Sequence, residues 1–303
     1  MSVDRAGEKD RIQSFYSNGW LGYLLVGPSF ILFGVFIGFP VVYNFMQSFQ
    51  VQTYYGTSEF AGYRNYAFML QDPVFWSALR NNLVYFALAV GVQTVLGFLF
   101  ALLYEGNFLG RKIMKTILFV PVVLSPVVVA YVWDEIYNPN RGLLAILLQF
   151  IGNIPSPNWL GSPQLALISV IIVNIWQWTG FSMLLFIAAL QNIPDDIKEA
   201  ATVDGASFRQ LTWRIVIPLL EGTIATLLIL GLIGSLQTFA LVFIMTGGGP
   251  ANSSHVLGTY IFQQAFTNGN YGYGSALSVV LLLLTLVLTV VQLKFFNDRR
   301  NAA

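Results

Sequence analysis

Hydrophobic positions along this chain do not repeat with a surface helix's or a strand's period; they run on. Six stretches are apolar almost without a break, at about residues 20–47, 83–104, 113–133, 164–189, 220–245 and 274–293. Each meets or exceeds the roughly 20 residues with which an α-helix crosses a bilayer, and a helix satisfies its own backbone polar groups there. The pattern predicts an all-α, polytopic membrane protein with six transmembrane helices. The third stretch contains "FVPVVLSPVVVAY". It is too apolar for a loop, and Pro121 and Pro126 should kink it and free backbone carbonyls. Polar positions gather between the runs. Residues 50–79 are rich in Tyr and Phe, residues 246–273 hold no Lys or Arg, and residues 191–218 mix both charge signs with small residues.

Composition sharpens this picture. Hydrophobic residues make up 56% of the chain and charged ones 10%, with a mean hydropathy of +0.67. Soluble domains carry about 25% charged residues, so most of this surface must meet lipid or other helices. The chain has no Cys, and His255 is its single histidine. Thiolate metal sites, Cys nucleophiles and multi-imidazole centres are excluded for the chain acting alone. G-x-x-x-x-G-K-[ST], H-E-x-x-H and G-x-S-x-G are all missing from the sequence, so neither a nucleotide-phosphate loop nor a common hydrolase site is expected. An intramembrane enzyme is therefore not the expected reading, and no cofactor site of the chain's own is expected. Residues 1–19 carry both charge signs without a signal-peptide core and read as a cytoplasmic leader. Residues 20–297 form one transmembrane domain, and 298–303 a cytoplasmic tail.

Lys and Arg set the orientation. Twelve of the 15 fall on the side shared by the leader, the 105–115 loop, the 191–218 segment and the tail; Arg64, Arg80 and Arg141 fall on the other. Both termini and the 191–218 segment are expected in the cytoplasm.

That segment contains "EAATVDGASFRQLTWRIVIPLL". Pro194 suits a first helical turn, and Asp195, Asp196 and Glu199 suit the positive end of a helix dipole. Ile197, Ala200, Ala201 and Asp204 share one face at helical spacing, and its small side chains allow close approach. Asp204-Gly205 is a turn signal, Ser207 suits the cap of a second helix, and Pro218 marks entry to the fifth span. A helix–turn–helix docked on a partner and an amphipathic helix resting among headgroups, with Arg209 and Arg214 on phosphates, both fit.

Spans two, four, five and six lack ionisable residues in their middles, the usual mark of ion coupling. Their polarity is neutral. Asn174, Trp178 and Phe181 share a face of span four, beside Gln177 and Thr179, and Ser235 and Thr238 share a face of span five. Amides and hydroxyls that bond sugar hydroxyls, with rings against pyranose C–H faces, suit a neutral polyol; helix–helix hydrogen bonding is the plainer use of the same residues. Asp134 and Glu135 read as an interfacial or structural pair. "TGGGPANSS" reads as a sharp turn.

The EAA segment resembles the signature of permease subunits of ATP-binding-cassette importers. "FAGYRNYAFMLQDPVFWSALRNN", "VNIWQWTGFSMLLFIAALQNIPDDIKEAA" and "FIMTGGGPANSSHVLGTYIFQQAF" resemble carbohydrate permeases, in particular the first permease subunit of maltose-type importers. The resemblance covers about residues 20 to 297. It implies a type I importer permease fold in a prokaryotic inner membrane and a translocation path for a sugar or related polyol, such as an oligosaccharide or glycosylglycerol. The implied partners are a second homologous permease, two ATPase subunits that bind ATP and Mg, and an external solute-binding protein. Glu199 becomes the ion-pair partner of the ATPase, with Asp204 a further candidate. Ala200 and Ala201 pack into its groove, and Gly205 permits the bend. Asn174, Trp178, Phe181, Ser235 and Thr238 become path residues, although Trp178 stands where the family favours a small residue. His255, Tyr260 and Gln263, and secondarily Tyr63, Asn65 and Tyr66, become contacts for the external binding protein. A secondary transporter of a neutral solute is the alternative, and it requires an ion site that the spans do not display.

Overall fold

The computed structural model describes residues 19–52, 58–106 and 108–302; all but the last residue of the expected leader lies outside them. The described chain is helical throughout, apart from a two-stranded antiparallel ribbon, Gln50–Gln52 with Ser58–Phe60. Four helices are long and apolar enough to cross a membrane: α1 (Tyr23–Gln47), α3 (Pro73–Glu105), α7 (Ala166–Gln191) and the span Tyr271–Phe296 of α13 (Tyr271–Ala302). Two further crossings are bent pairs, α4 (Arg111–Val123) with α5 (Pro126–Ile136) and α9 (Phe208–Leu219) with α10 (Glu221–Leu236). Six crossings result when each bent pair counts as one.

The differences from the sequence pattern have physical causes. The second crossing begins ten residues early, because Asp72 caps Val74 N at 2.8 Å and Pro73 opens the helix. The proline-bearing crossing does not merely kink: α4 and α5 meet at 104°. Pro121 sits inside α4, while Leu124 turns extended and Ser125 caps α5 ahead of Pro126, which disfavours helix in the residue before it. The fifth run stops at Leu236, and a break at Gln237–Phe239 precedes α11 (Ala240–Met245). Four short helices complete the chain: α2 (Arg64–Gln71), α6 (Leu143–Gly152), α8 (Asp195–Val203) and α12 (Leu257–Phe262). Among them the apolar α6 was not expected. One π-turn, Phe86–Val90, lies within α3.

Packing divides into three clusters. The first gathers Tyr85, Ala89, Val129, Tyr137, Val170, Val173, Leu241 and Val256. The second, near the α8–α9 end, gathers Ala101, Met183, Phe186, Leu190, Val216 and Leu220. The third joins Met69 and Phe75 to Tyr260, Tyr273 and Leu277. Along α7 the first cluster ends at Val173 and the second resumes at Met183. Between them, Asn174, Gln177, Trp178 and Phe181 line a cavity. α7 and α4 also cross in close contact at Gly180, where a Cβ would lie 2.0 Å from the Leu118 carbonyl oxygen. α1 has no buried residue in its central window, as suits a helix that faces lipid or another subunit.

Candidate transport site

A cavity of about 430 Å³ opens between α3, α7 and α10, at the gap between the first two clusters. Its size falls in the usual range for small-molecule sites. It gathers all five residues expected along the path: Asn174, Trp178, Phe181, Ser235 and Thr238. Helical spacing puts the first three on one face of α7, and Trp178 and Phe181 meet edge to face with ring centres 6.0 Å apart. The break after Leu236 places Gln237, Thr238 and Phe239 on the facing wall. Among the described residues, no Asp, Glu, Lys, Arg or His lines the cavity.

Gln93 and Tyr85 in this wall, and Asn81 and Asn82 that brace the backbone beside it, were not singled out from the sequence. Gln93 and Tyr85 line the cavity from α3. Gln177 is fully buried; its amide donates to Leu124 O, at the α4–α5 corner, at 3.0 Å, while its carbonyl has no hydrogen-bond partner. Asn82, also fully buried, donates to Ser235 O at 2.7 Å and accepts from Leu257 N at 2.8 Å. It thereby satisfies the carbonyl beside the break in span five and the buried first-turn amide that starts α12. Asn81 donates to Ser253 O and His255 O at 2.9 and 2.8 Å. The signal was legible: adjacent carboxamides at the mouth of an apolar run have few uses but to satisfy irregular backbone.

The opposite-side lobe corrects a further expectation. His255 and Tyr260 are 2% and 4% exposed, and Asn65 is buried as well, so none of the three offers a docking contact. The His255 ring meets Thr259 Oγ1 at 3.0 Å. Burial lowers its pKa, against the smaller opposing effect of a Gln263 hydrogen bond. Tyr260 and Tyr273 both donate to Asp72 Oδ2, the second at 2.5 Å, and burial followed by the Asp72 carboxylate raises the Tyr260 pKa. Asn65 donates to Ser48 O and Gln50 O at 2.8 and 2.9 Å. Tyr63 stays exposed. Glu135 pairs with Arg141 at 2.8 Å on the surface.

At the far end, α8 begins after Pro194 with Asp195 and Asp196 in its first turn. It closes on a Schellman pair, Ala206 N to Ala201 O at 2.9 Å and Gly205 N to Thr202 O at 3.0 Å. This closure places Gly205 at φ +80°, a conformation that strains any residue with a Cβ. Ser207 and Gln210 form a capping box that starts α9. Glu199, Ala200, Asp204 and Gly205 are exposed, flanked by Val203 and Phe208 at 87% and 72%. Ala201 differs from the expectation: at 8% exposed it packs inward against its own chain. Lys198 bridges Glu105 at the end of α3 and Asp195, both at 3.7 Å.

Residues 93–301 match the family described as binding-protein-dependent transport system inner membrane component. The chain belongs to that family. It is a permease subunit of a binding-protein-dependent ATP-binding-cassette importer, a multi-pass inner membrane protein and a transport component rather than an enzyme. Among its relatives, the probable permease YurN of Bacillus subtilis is 37% identical over 94% of this chain and 98% of its own. The trehalose/maltose permease MalF of Thermococcus litoralis is 34% identical over 94% and 97%, and the sn-glycerol-3-phosphate permease UgpA of Agrobacterium fabrum 30% over 94% and 97%. A bacterial importer of the acidic polysaccharide alginate shares the permease subunit's fold, with a TM-score of 0.83, 24% identity and 95% and 99% of the two chains covered. Membership in this family replaces the secondary-transporter alternative.

Proposed function

We propose that this permease subunit forms one side of the path for a neutral sugar or related polyol, an oligosaccharide or a glycosylglycerol. The observation that carries the reading is a cavity wall in which carboxamides, hydroxyls and aromatic rings stand among aliphatic side chains, with no charged side chain among the described lining residues. Relatives named for trehalose and maltose, and for glycerol 3-phosphate, leave both cargo types open. A phosphate bound to this wall would lose water without gaining a countercharge, at a cost of several kcal/mol. A sugar hydroxyl meets Asn174, Gln237, Ser235 or Thr238 at little cost. Trp178 and Phe181 supply rings for its C–H faces.

On the same reading, residues 20–297 are the transmembrane domain, both termini lie in the cytoplasm, and the α8–α9 bend within 191–218 seats a partner ATPase that binds ATP and Mg. Glu199, Ala200, Asp204 and Gly205 form the contact edge, and Ala201 anchors α8 from behind. A second homologous permease, a second ATPase and an external solute-binding protein complete the importer. Motion of the bend reaches the cavity by two rigid routes. One is α9, whose 63° joint with α10 leads to Ser235 and the break at Gln237–Phe239. The other is the Lys198–Glu105 pair and α3, which carries Tyr85 and Gln93.

The test is uptake of neutral sugars by the complete importer in proteoliposomes. Asn174→Leu is expected to lower uptake while assembly and basal ATP hydrolysis persist; unchanged uptake would remove the cavity from the path.

A further inference from the structure

Five aromatic rings form a continuous ladder that starts inside the cavity and ends at the head of α13. Phe239 lines the cavity. It stacks on Phe243, one turn along α11, with ring centres 4.9 Å apart and planes within 16°. Phe262, at the end of α12, meets Phe243 at 4.8 Å and Phe239 at 5.5 Å. Phe266 follows at 5.2 Å and Tyr271 at 6.4 Å. The outer rungs are open: Phe243, Phe266 and Tyr271 are 39%, 68% and 42% exposed. The ladder climbs through the link between spans five and six, on the face opposite the α8–α9 bend, which lies between spans four and five.

Exposed aromatics on a membrane protein ordinarily face lipid or a second subunit. Two features here point to a further occupant. The inner rung lines the cavity, whose wall also presents Asn174, Gln237, Ser235 and Thr238. The outer rungs are bordered by carboxamides: half-buried Gln264 accepts from exposed Asn268 and Asn270, each at 3.3 Å. Residues 246–273 also carry no Asp, Glu, Lys or Arg. Rings beside amides, without charge, match one ligand chemistry. A pyranose offers C–H faces to the rings and a rim of hydroxyls to the amides.

We propose that the ladder is a second sugar-binding surface, an entry track along which pyranose rings of a neutral oligosaccharide pass into the cavity. This rests on the reading of the cavity as a sugar site and extends it by a route. Successive rungs let a ring transfer from one aromatic face to the next without full rehydration between them, and no single rung holds it tightly enough to stop transit. Tyr271 and Phe266 meet the sugar first, and Phe239 delivers it to the cavity.

Because the chain has no Cys, single thiols can be introduced by Phe243→Cys, Phe262→Cys and Phe266→Cys in the complete importer. A membrane-impermeant cationic methanethiosulfonate is applied from the face opposite the α8–α9 bend. Modification of this chain is read by mass, and uptake by accumulation of glucose, trehalose, maltose and maltotriose. The introduced thiols are expected to react, and their modification to lower uptake about tenfold. Phe262→Leu combined with Phe266→Leu is expected to lower uptake of maltotriose more than that of glucose, since a longer sugar spans more rungs. Phe262→Tyr with Phe266→Tyr, which keeps the rings, should restore uptake. If the leucine pair fails to assemble, the tyrosine pair and the thiols carry the test. Unreactive thiols in an importer that accumulates sugar would show a ladder covered by lipid or the second permease, and would overturn the track while leaving the cavity reading intact. Reactive thiols whose modification leaves uptake unchanged would overturn it too. A wild-type importer that accumulates none of the four sugars and no glucosylglycerol would overturn the cavity reading and the track's ligand together.

Discussion

Gly180→Ala adds a single methyl group at the crossing of α7 and α4, and the structure sets its cost. The new Cβ would lie 2.0 Å from Leu118 O, 2.6 Å from Leu118 C and 2.9 Å from Phe119 Cα, whereas ordinary contact starts near 3.4 Å. All three neighbours are backbone, so no side chain can rotate away. The two helices must separate by about 1.4 Å, the difference between 3.4 and 2.0 Å. Overpacking of this kind costs about 1–3 kcal/mol, and the better helix propensity of alanine returns up to about 1 kcal/mol. The separation would also strain Gln177, whose amide bonds Leu124 O at the α4–α5 corner, so the cavity should feel it. Gly234→Ala is the control. It sits on a helix that lines the same cavity, but a Cβ there meets nothing within 4 Å, so only the propensity gain applies. The assay is thermal unfolding of the purified complex in one detergent, with uptake measured in parallel. Gly180→Ala should melt lower and transport less, while Gly234→Ala melts at or slightly above wild type. Equal melting of the two variants would refute the argument that close helix contact governs this crossing.

The other predictions concern the opposite-side lobe and the α8–α9 bend. Asp72→Ala removes the acceptor of two buried tyrosine hydroxyls and the cap of α3; at about 1–3 kcal/mol per orphaned group, it should destabilise by about 3 kcal/mol or more, with Asp72→Asn milder, as read by thermal unfolding. His255 is held neutral by burial, with a folded pKa below its ordinary 6.5. Below pH 6.5 the unfolded chain therefore binds a proton that the folded chain refuses, and stability should fall with pH by up to about 1.4 kcal/mol per unit. His255→Gln should flatten that slope between pH 7 and 5, and an unchanged slope would assign it to other groups. Gly205→Val forces a β-branched residue into φ +80° and should distort the bend by about 1–3 kcal/mol of strain. With Glu199→Ala, it should deplete the ATPase from a mild-detergent pull-down of the tagged chain, while the second permease is retained.

Much of this molecule was legible in its sequence because the bilayer simplifies the code. Long apolar runs have few outcomes in lipid, so the spans at Tyr23–Gln47 and Ala166–Gln191 lie within three residues of the pattern at each end. The α8–α9 bend was equally local. Asp-Gly, Ser207 with Gln210, and Pro194 specify a helix, a left-handed residue and a capped second helix within some 20 residues. Helical spacing also placed Asn174, Trp178 and Phe181 on one face before any neighbour was known.

Tertiary structure decided what those faces meet. Only the gap between two packing clusters turns Asn174, Gln177, Trp178 and Phe181 toward a cavity, and only the break after Leu236 brings Thr238 opposite them. The burial of His255, Tyr260 and Asn65 depends on partners remote in the chain. So does the aromatic ladder, whose rungs come from the break at Phe239, three helices and the π-turn Gln263–Thr267. Sequence periodicity reports the side of one helix. Whether that side meets lipid, backbone, a cavity or another ring is fixed by which distant segments the fold sets against it.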